Sequence, residues 1–305
     1  MANFLIYTYM FKPVTTSYAG DLFDNSEVDV KESLAHKQEL LGGLFPKDAG
    51  LGKFDKGEDD GLRFVYNDEV FLHKMVMNEG GVIVFRIANN KKVMHHRADF
   101  TDEEFEDHPN CLVIIDNRKD RQIVAVEQKK MVFGEKMVAN ILAETFNALL
   151  ARYRLTLTID AKYHKSEFWR VVSSYPKGIK RVTFAFPYPN LPKITELVSE
   201  SMKRLALETK CEPTQVLNAL DGQVLNLDKD SRMLLDMIAA CAASGKPIMM
   251  LPVGKRSVLK CNTDKSLVRE DLDNNVIKGL MNKDFFNTWV ESVTEFLNRI
   301  KLVYD

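Results

Sequence analysis

The residues best suited to a chemical task are cations that crowd the middle of the chain. Between Arg118 and Arg181 stand fourteen Lys or Arg against six Asp or Glu, a local excess of eight positive charges in a chain whose formal net charge is −1. Tyr163, Phe168, Trp169 and Tyr175 are interleaved with them. Lysine and arginine neutralise phosphates and aromatic rings stack on bases, so this composition suits a nucleic-acid surface. The residues expected to contact the backbone are Arg118, Lys119, Arg121, Lys162, Lys165, Arg170, Lys177, Lys180 and Arg181. Clustering along a chain does not by itself put charges on one face, and solvated strand and helix ends would give the same count.

A second arrangement is catalytic in type. Asp116 closes one expected strand, and Glu127-Gln128-Lys129 ends the strand expected to pair with it. Two carboxylates at such places hold Mg²⁺ in metal-dependent nucleases of the PD-(D/E)xK pattern, with the lysine positioning or activating water. The same residues also suit plain geometry, because Asp116-Asn117-Arg118-Lys119-Asp120 is rich in turn formers. The turn is the preferred reading, so no cofactor is expected; Mg²⁺ enters only with the nuclease alternative. His95-His96 with Asp99 could supply metal ligands, but adjacent histidines on a strand point to opposite faces, and His73 and His164 are single residues with no second ligand at metal-binding spacing in the sequence. No phosphate-binding Gly-rich loop, GxSxG or HExxH occurs.

The elements that must position these residues read as a mixture. A chain of 305 residues with 45% hydrophobic and 28% charged content is of globular type and long enough for one or two domains. Four scattered cysteines suit a reducing compartment. The apolar start lacks a basic lead and a small-residue cleavage site, and no stretch approaches the ~20 apolar residues of a membrane span, so a cytoplasmic protein is expected. Strands are expected at residues 3–11, 62–74, 82–88, 111–115, 122–133, 155–161, 179–186, 247–253 and 257–261. Helices are expected at residues 26–45, 135–153, 166–174, 190–208, 230–243 and 284–301. Residues 45–61 read as a loop, and the acidic run 99–107 as a solvated loop or short helix. Asn78-Glu79-Gly80-Gly81 has the glycines of a hairpin turn. Strands arriving in hairpins favour an α+β fold of antiparallel sheets with packed helices. A change of rhythm places a boundary between residues 1–154 and 155–305.

The order of these elements resembles the RexA family of lambdoid phages, DNA-binding components of a phage-exclusion system. The likeness runs through Val70-Phe71-Leu72-His73-Lys74, Val82-Ile83-Val84-Phe85-Arg86 and Asn89-Asn90-Lys91-Lys92. It continues through residues 126–134, 157–172 and 182–187. It implies double-stranded DNA binding without strong sequence preference, a role as sensor or effector in phage defence, and a membrane-protein partner. A protein-interaction module without catalysis is the remaining class, resting on the apolar stripe of residues 284–301. A homodimer is expected, since a two-fold pair doubles phosphate contacts along a duplex. Trp289, with Phe285 and Phe286, is the expected anchor.

Overall fold

The computed structural model describes residues 1–14, 29–46, 62–280 and 286–304, with residues 286–288 as backbone alone. The fold is α+β, as the hairpin pattern predicts. Its strands are β1 (Ala2–Pro13), β2 (Phe64–Tyr66), β3 (Glu69–Phe71), β4 (His73–Glu79), β5 (Val82–Ala88), β6 (Lys91–His96), β7 (Asp102–Asp107), β8 (Asn110–Asp116) and β9 (Ile123–Glu127). They continue with β10 (Leu155–Ala161), β11 (Ile179–Ala185), β12 (Thr214–Asn218), β13 (Ile248–Pro252), β14 (Leu259–Lys260) and β15 (Arg269–Leu272). The helices are α1 (Val30–Ala35), α2 (Lys37–Gly42), α3 (Met137–Leu150), α4 (Ser166–Ser173), α5 (Pro192–Thr195), α6 (Glu200–Thr209), α7 (Arg232–Ser244), α8 (Asn274–Gly279) and α9 (Phe286–Arg299).

The larger sheet runs β10-β1-β9-β8-β5-β4, and β15 also pairs with β1. Its middle strands are apolar on both sides because both faces are covered. On one face Tyr7, Phe85, Val113, Ile115 and Val124 meet α3 through Ile141, Leu142 and Phe146. On the other, Phe4, Ile6, Val84, Leu112, Ile114 and Ala125 meet α8 and α9. Phe4 and Phe296 pack there with ring centroids 5.4 Å apart. Trp289 of α9 lies on Gly279 of α8 so closely that a Cβ at Gly279 would fall inside the indole ring. The expected dimer anchor is therefore engaged within its own chain. Phe285 lies outside the described residues.

A smaller sheet, β12-β11-β13-β14, shares the first core through Val182, Phe184, Ile248 and Met250. Helix α7 joins the two, with Thr8 Oγ1 of β1 donating to the Ala243 carbonyl at 2.7 Å. Strand β1 pairs with β10 along Tyr7–Pro13 and with β15 along Ala2–Leu5. Strands β10 and β15, which follow residue 154, thus complete the sheet that contains β1.

Five local expectations change. The expected strand 122–133 ends at Glu127, and the expected helix 190–208 is two helices, α5 and α6. Residues 62–74 are not one strand, because Asn67 and Asp68 adopt positive φ and fold β2 onto β3 as a hairpin. The expected helix 26–45 is two short helices over its described part, α1 and α2; residues 26–28 and most of the expected loop 45–61 lie outside the described residues. The acidic run is strand β7, paired with β6 so that carboxylates meet cations across the ladder. Lys92 lies 2.5 Å from Glu104, and His96 lies 2.6 Å from Asp102. The Asn78–Gly81 turn forms as expected, with Gly80 and Gly81 at φ +58° and +77°.

Asp116 ties α9 to the sheet. Its carboxylate is fully buried and accepts from Arg118 Nε and Nη2 and from Arg121 Nε, each at 2.8 Å. Arg121 Nη2 then donates to the carbonyls of Leu297 and Ile300, and Arg118 Nη2 donates to Asn298 Oδ1 at 3.0 Å. Cations belong at a helix C-terminus, where unpaired carbonyls concentrate negative charge. Removing one partner of a buried ion pair leaves a desolvated charge behind. Asp116→Asn is expected to lower the unfolding free energy by about 3 kcal/mol in urea denaturation; a loss below about 1 kcal/mol would contradict this role.

Candidate nucleic-acid interface

The fold separates the nine expected contact residues into two groups. Arg118 and Arg121 are committed to Asp116 and the end of α9, and the hydrogen bonds that Arg118 donates to the Asp116 carboxylate raise its pKa further. Arg170 makes a two-pronged pair with Glu167, at 2.7 and 2.5 Å. Lys165 is half-buried, while Lys119 is exposed in the β8–β9 turn. Lys162 is sealed, with 1% of its surface exposed, and Nζ donates to the Leu302 carbonyl at 2.6 Å. A side chain so enclosed has no path to a phosphate. Lys162 is thus corrected from contact residue to part of the structure that holds the C-terminal segment.

Lys177, Lys180 and Arg181 do stand in solvent together. Strand β11 shifts register between Ile179 and Arg181, and this irregularity lets two successive cations face outward. Arg181 is opposite Leu251 of β13, while the Val253 amide donates to the Gly178 carbonyl at 3.0 Å. That pairing brings the β13–β14 turn, with Lys255 and Arg256, beside Lys177. Lys260 of β14 is opposite Met249 and also exposed. The strands of the smaller sheet thus carry Lys180, Arg181 and Lys260, and the turns at the same end carry Lys177, Lys255 and Arg256, all six exposed. Among the described residues none of the six has a carboxylate partner. Lys255, Arg256 and Lys260 fall outside the basic stretch of the sequence. Their signal was Gly254-Lys255-Arg256-Ser257, a basic turn between two expected strands.

Asp116, Glu127 and Lys129 do not form a metal centre. In the β8–β9 ladder Asp116 is opposite Ile123 and Val113 is opposite Val126, which places Glu127 level with Leu112. The two carboxylates thus lie four residues apart along the ladder, about 13 Å at ordinary strand rise. Glu127 instead accepts from the Leu112 amide at 2.9 Å and pairs with Lys129 at 3.1 Å. No group of three or more His, Cys, Asp or Glu among the described residues is placed to hold a metal ion. No described helix is long and apolar enough to cross a membrane.

Comparison with known proteins gives no family to set beside this geometry: no protein-family model matches the chain, and no curated protein is similar to it.

Burial lowers the Lys162 pKa from 10.5 to about 7, with the Arg121 charge acting in the same direction. The unfolded chain keeps this proton to about 10.5, whereas the native form releases it above about 7. The unfolded state therefore binds more protons in that window, and stability rises with pH by up to about 1.4 kcal/mol per unit from this residue. Lys37, lowered to about 8 by burial, adds a similar rise above that pH. Denaturation curves from pH 6 to 9 should show a shallower rise in Lys162→Met than in the parent. Identical slopes would place the Lys162 amine in solvent.

Proposed function

We propose that the protein binds double-stranded DNA without sequence preference, through the outer face of the smaller sheet. The observation that carries this reading is the set of six exposed cations, none paired with a carboxylate among the described residues, on β11, the residues just before it and the β13–β14 hairpin. Phosphate contacts release condensed counterions and need no base-specific side chain. Arg181 and Lys260 are two strands apart, roughly 10 Å across the sheet, a spread suited to more than one phosphate. Two copies on one duplex would double these contacts, and a homodimer remains part of the proposal. The resemblance to RexA proteins supports a place in anti-phage defence, as a sensor or effector. The nuclease alternative is not carried forward, because its carboxylates lie far apart along the ladder.

Binding should weaken steeply with salt. If about six phosphates are engaged, log affinity should fall by about five per tenfold rise in salt. The variant Lys180→Glu/Arg181→Glu/Lys255→Glu/Arg256→Glu should lose retention of duplex DNA in filter binding at low salt. Arg170→Gln should keep it. Undiminished binding by the fourfold variant would remove the proposed face.

A further inference from the structure

Strand β12 ends the smaller sheet, and its far edge is open. An open edge offers N–H and C=O groups to any strand that reaches it, so folds usually blunt such edges with charge, proline, bulges or a cover. The other edges of the two main sheets follow this rule. Strand β4 is broken by a register shift between Met75 and Met77. On β10, Asn147 of α3 accepts from the Leu157 amide at 2.7 Å and donates to its carbonyl at 3.1 Å. Strand β15 carries Arg269, Glu270 and Asp271, and β14 is two residues long. Strand β12 has none of these devices: Thr214-Gln215-Val216-Leu217-Asn218 holds no charge and no proline, and its register against β11 is unbroken.

The ladder fixes which way this backbone points. The Ala219 amide donates to the Lys180 carbonyl and the Phe186 amide to the Pro213 carbonyl, so Val182 with Leu217 and Phe184 with Gln215 are the hydrogen-bonded pairs between them. Thr214, Val216 and Asn218 therefore aim their N–H and C=O groups away from β11. Among the described residues these groups have no hydrogen-bond partner. A groove of about 770 Å³ borders the edge, with Thr214, Gln215 and Val216 on one side and Met233 and Met237 of α7 on the other. Val216 is 47% exposed and Met233 70%. We propose that β12 pairs antiparallel with β12 of a second copy of this chain, about a two-fold axis through Val216. The edge is complementary to itself in that register: Val216 meets its own copy, and Thr214 meets Asn218 of the partner subunit. Each of these pairs exchanges two backbone hydrogen bonds, no like charges meet, and the two Val216 side chains pack across the axis. Val182 and Phe184 are buried on one face of β11, which leaves Arg181 on the other. The axis stands perpendicular to the sheet, so both copies present Arg181 on the same side of one continuous sheet. This supplies an interface for the homodimer of the DNA-binding reading, yet it rests on the strand edge and stands without DNA.

Sedimentation equilibrium of the full chain without DNA, at tens of micromolar protein, tests this. The mass should approach twice the 34.9 kDa of one chain. Val216→Lys sets like charges opposite each other on the axis and should return the monomer mass with an unchanged circular dichroism spectrum. Val216→Pro removes an outward N–H while leaving the bonds to β11 whole, and should do the same. The variant Lys180→Glu/Arg181→Glu/Lys255→Glu/Arg256→Glu should stay dimeric, so that loss of the DNA face and loss of this interface read separately. Should both Val216 variants fail to fold, amide exchange of the parent supplies the readout: Thr214, Val216 and Asn218 should exchange more slowly as protein concentration rises. A monomer mass for the parent, a dimer that persists in Val216→Lys, or exchange at these three amides that ignores concentration would overturn the proposal.

Discussion

The buried carboxylate of Asp116 is the constraint on which the arrangement depends. It sits at the end of β8 with no exposed surface, so its charge requires compensation from inside the fold. Arg118 and Arg121 supply it, and their remaining nitrogens reach the last turn of α9. One ion cluster thereby fixes a turn, a sheet end and a helix that closes the second core. Lys162 reinforces the same corner from β10's end by bonding the Leu302 carbonyl. Three of the chain's most clustered cations are thus consumed in holding the C-terminal segment against the sheet.

That consumption explains what the sequence could and could not disclose. Helix α3 was legible because its apolar residues recur at three and four, and the Gly80-Gly81 turn because only such residues take positive φ cheaply. The acidic strand β7 was not, because its stability comes from Lys92 and His96 on a strand that precedes it. The Asn67-Asp68 turn was hidden inside an apolar run. The pairing of strands across residue 155 was hidden for a topological reason: β1 is long enough to receive β10 and β15 at different ends, and no local pattern announces a strand's partner.

The candidate interface was half legible. Lys177, Lys180 and Arg181 were named from charge alone, and the register shift in β11 is what turns the last two outward. Lys255, Arg256 and Lys260 join them only because β13 runs antiparallel beside β11. Arg118 and Lys162 carry the same formal charge, yet one neutralises a buried acid and the other is enclosed. Charge in a sequence counts side chains; pairing and burial decide which remain available to a ligand.

Hydrogen–deuterium exchange with and without duplex DNA at low salt tests this division most directly. The account predicts slowed exchange in residues 177–181 and 253–260, with the hairpin carrying Arg118 and Arg121 unchanged. Protection confined to residues 116–123, or none anywhere, would contradict it.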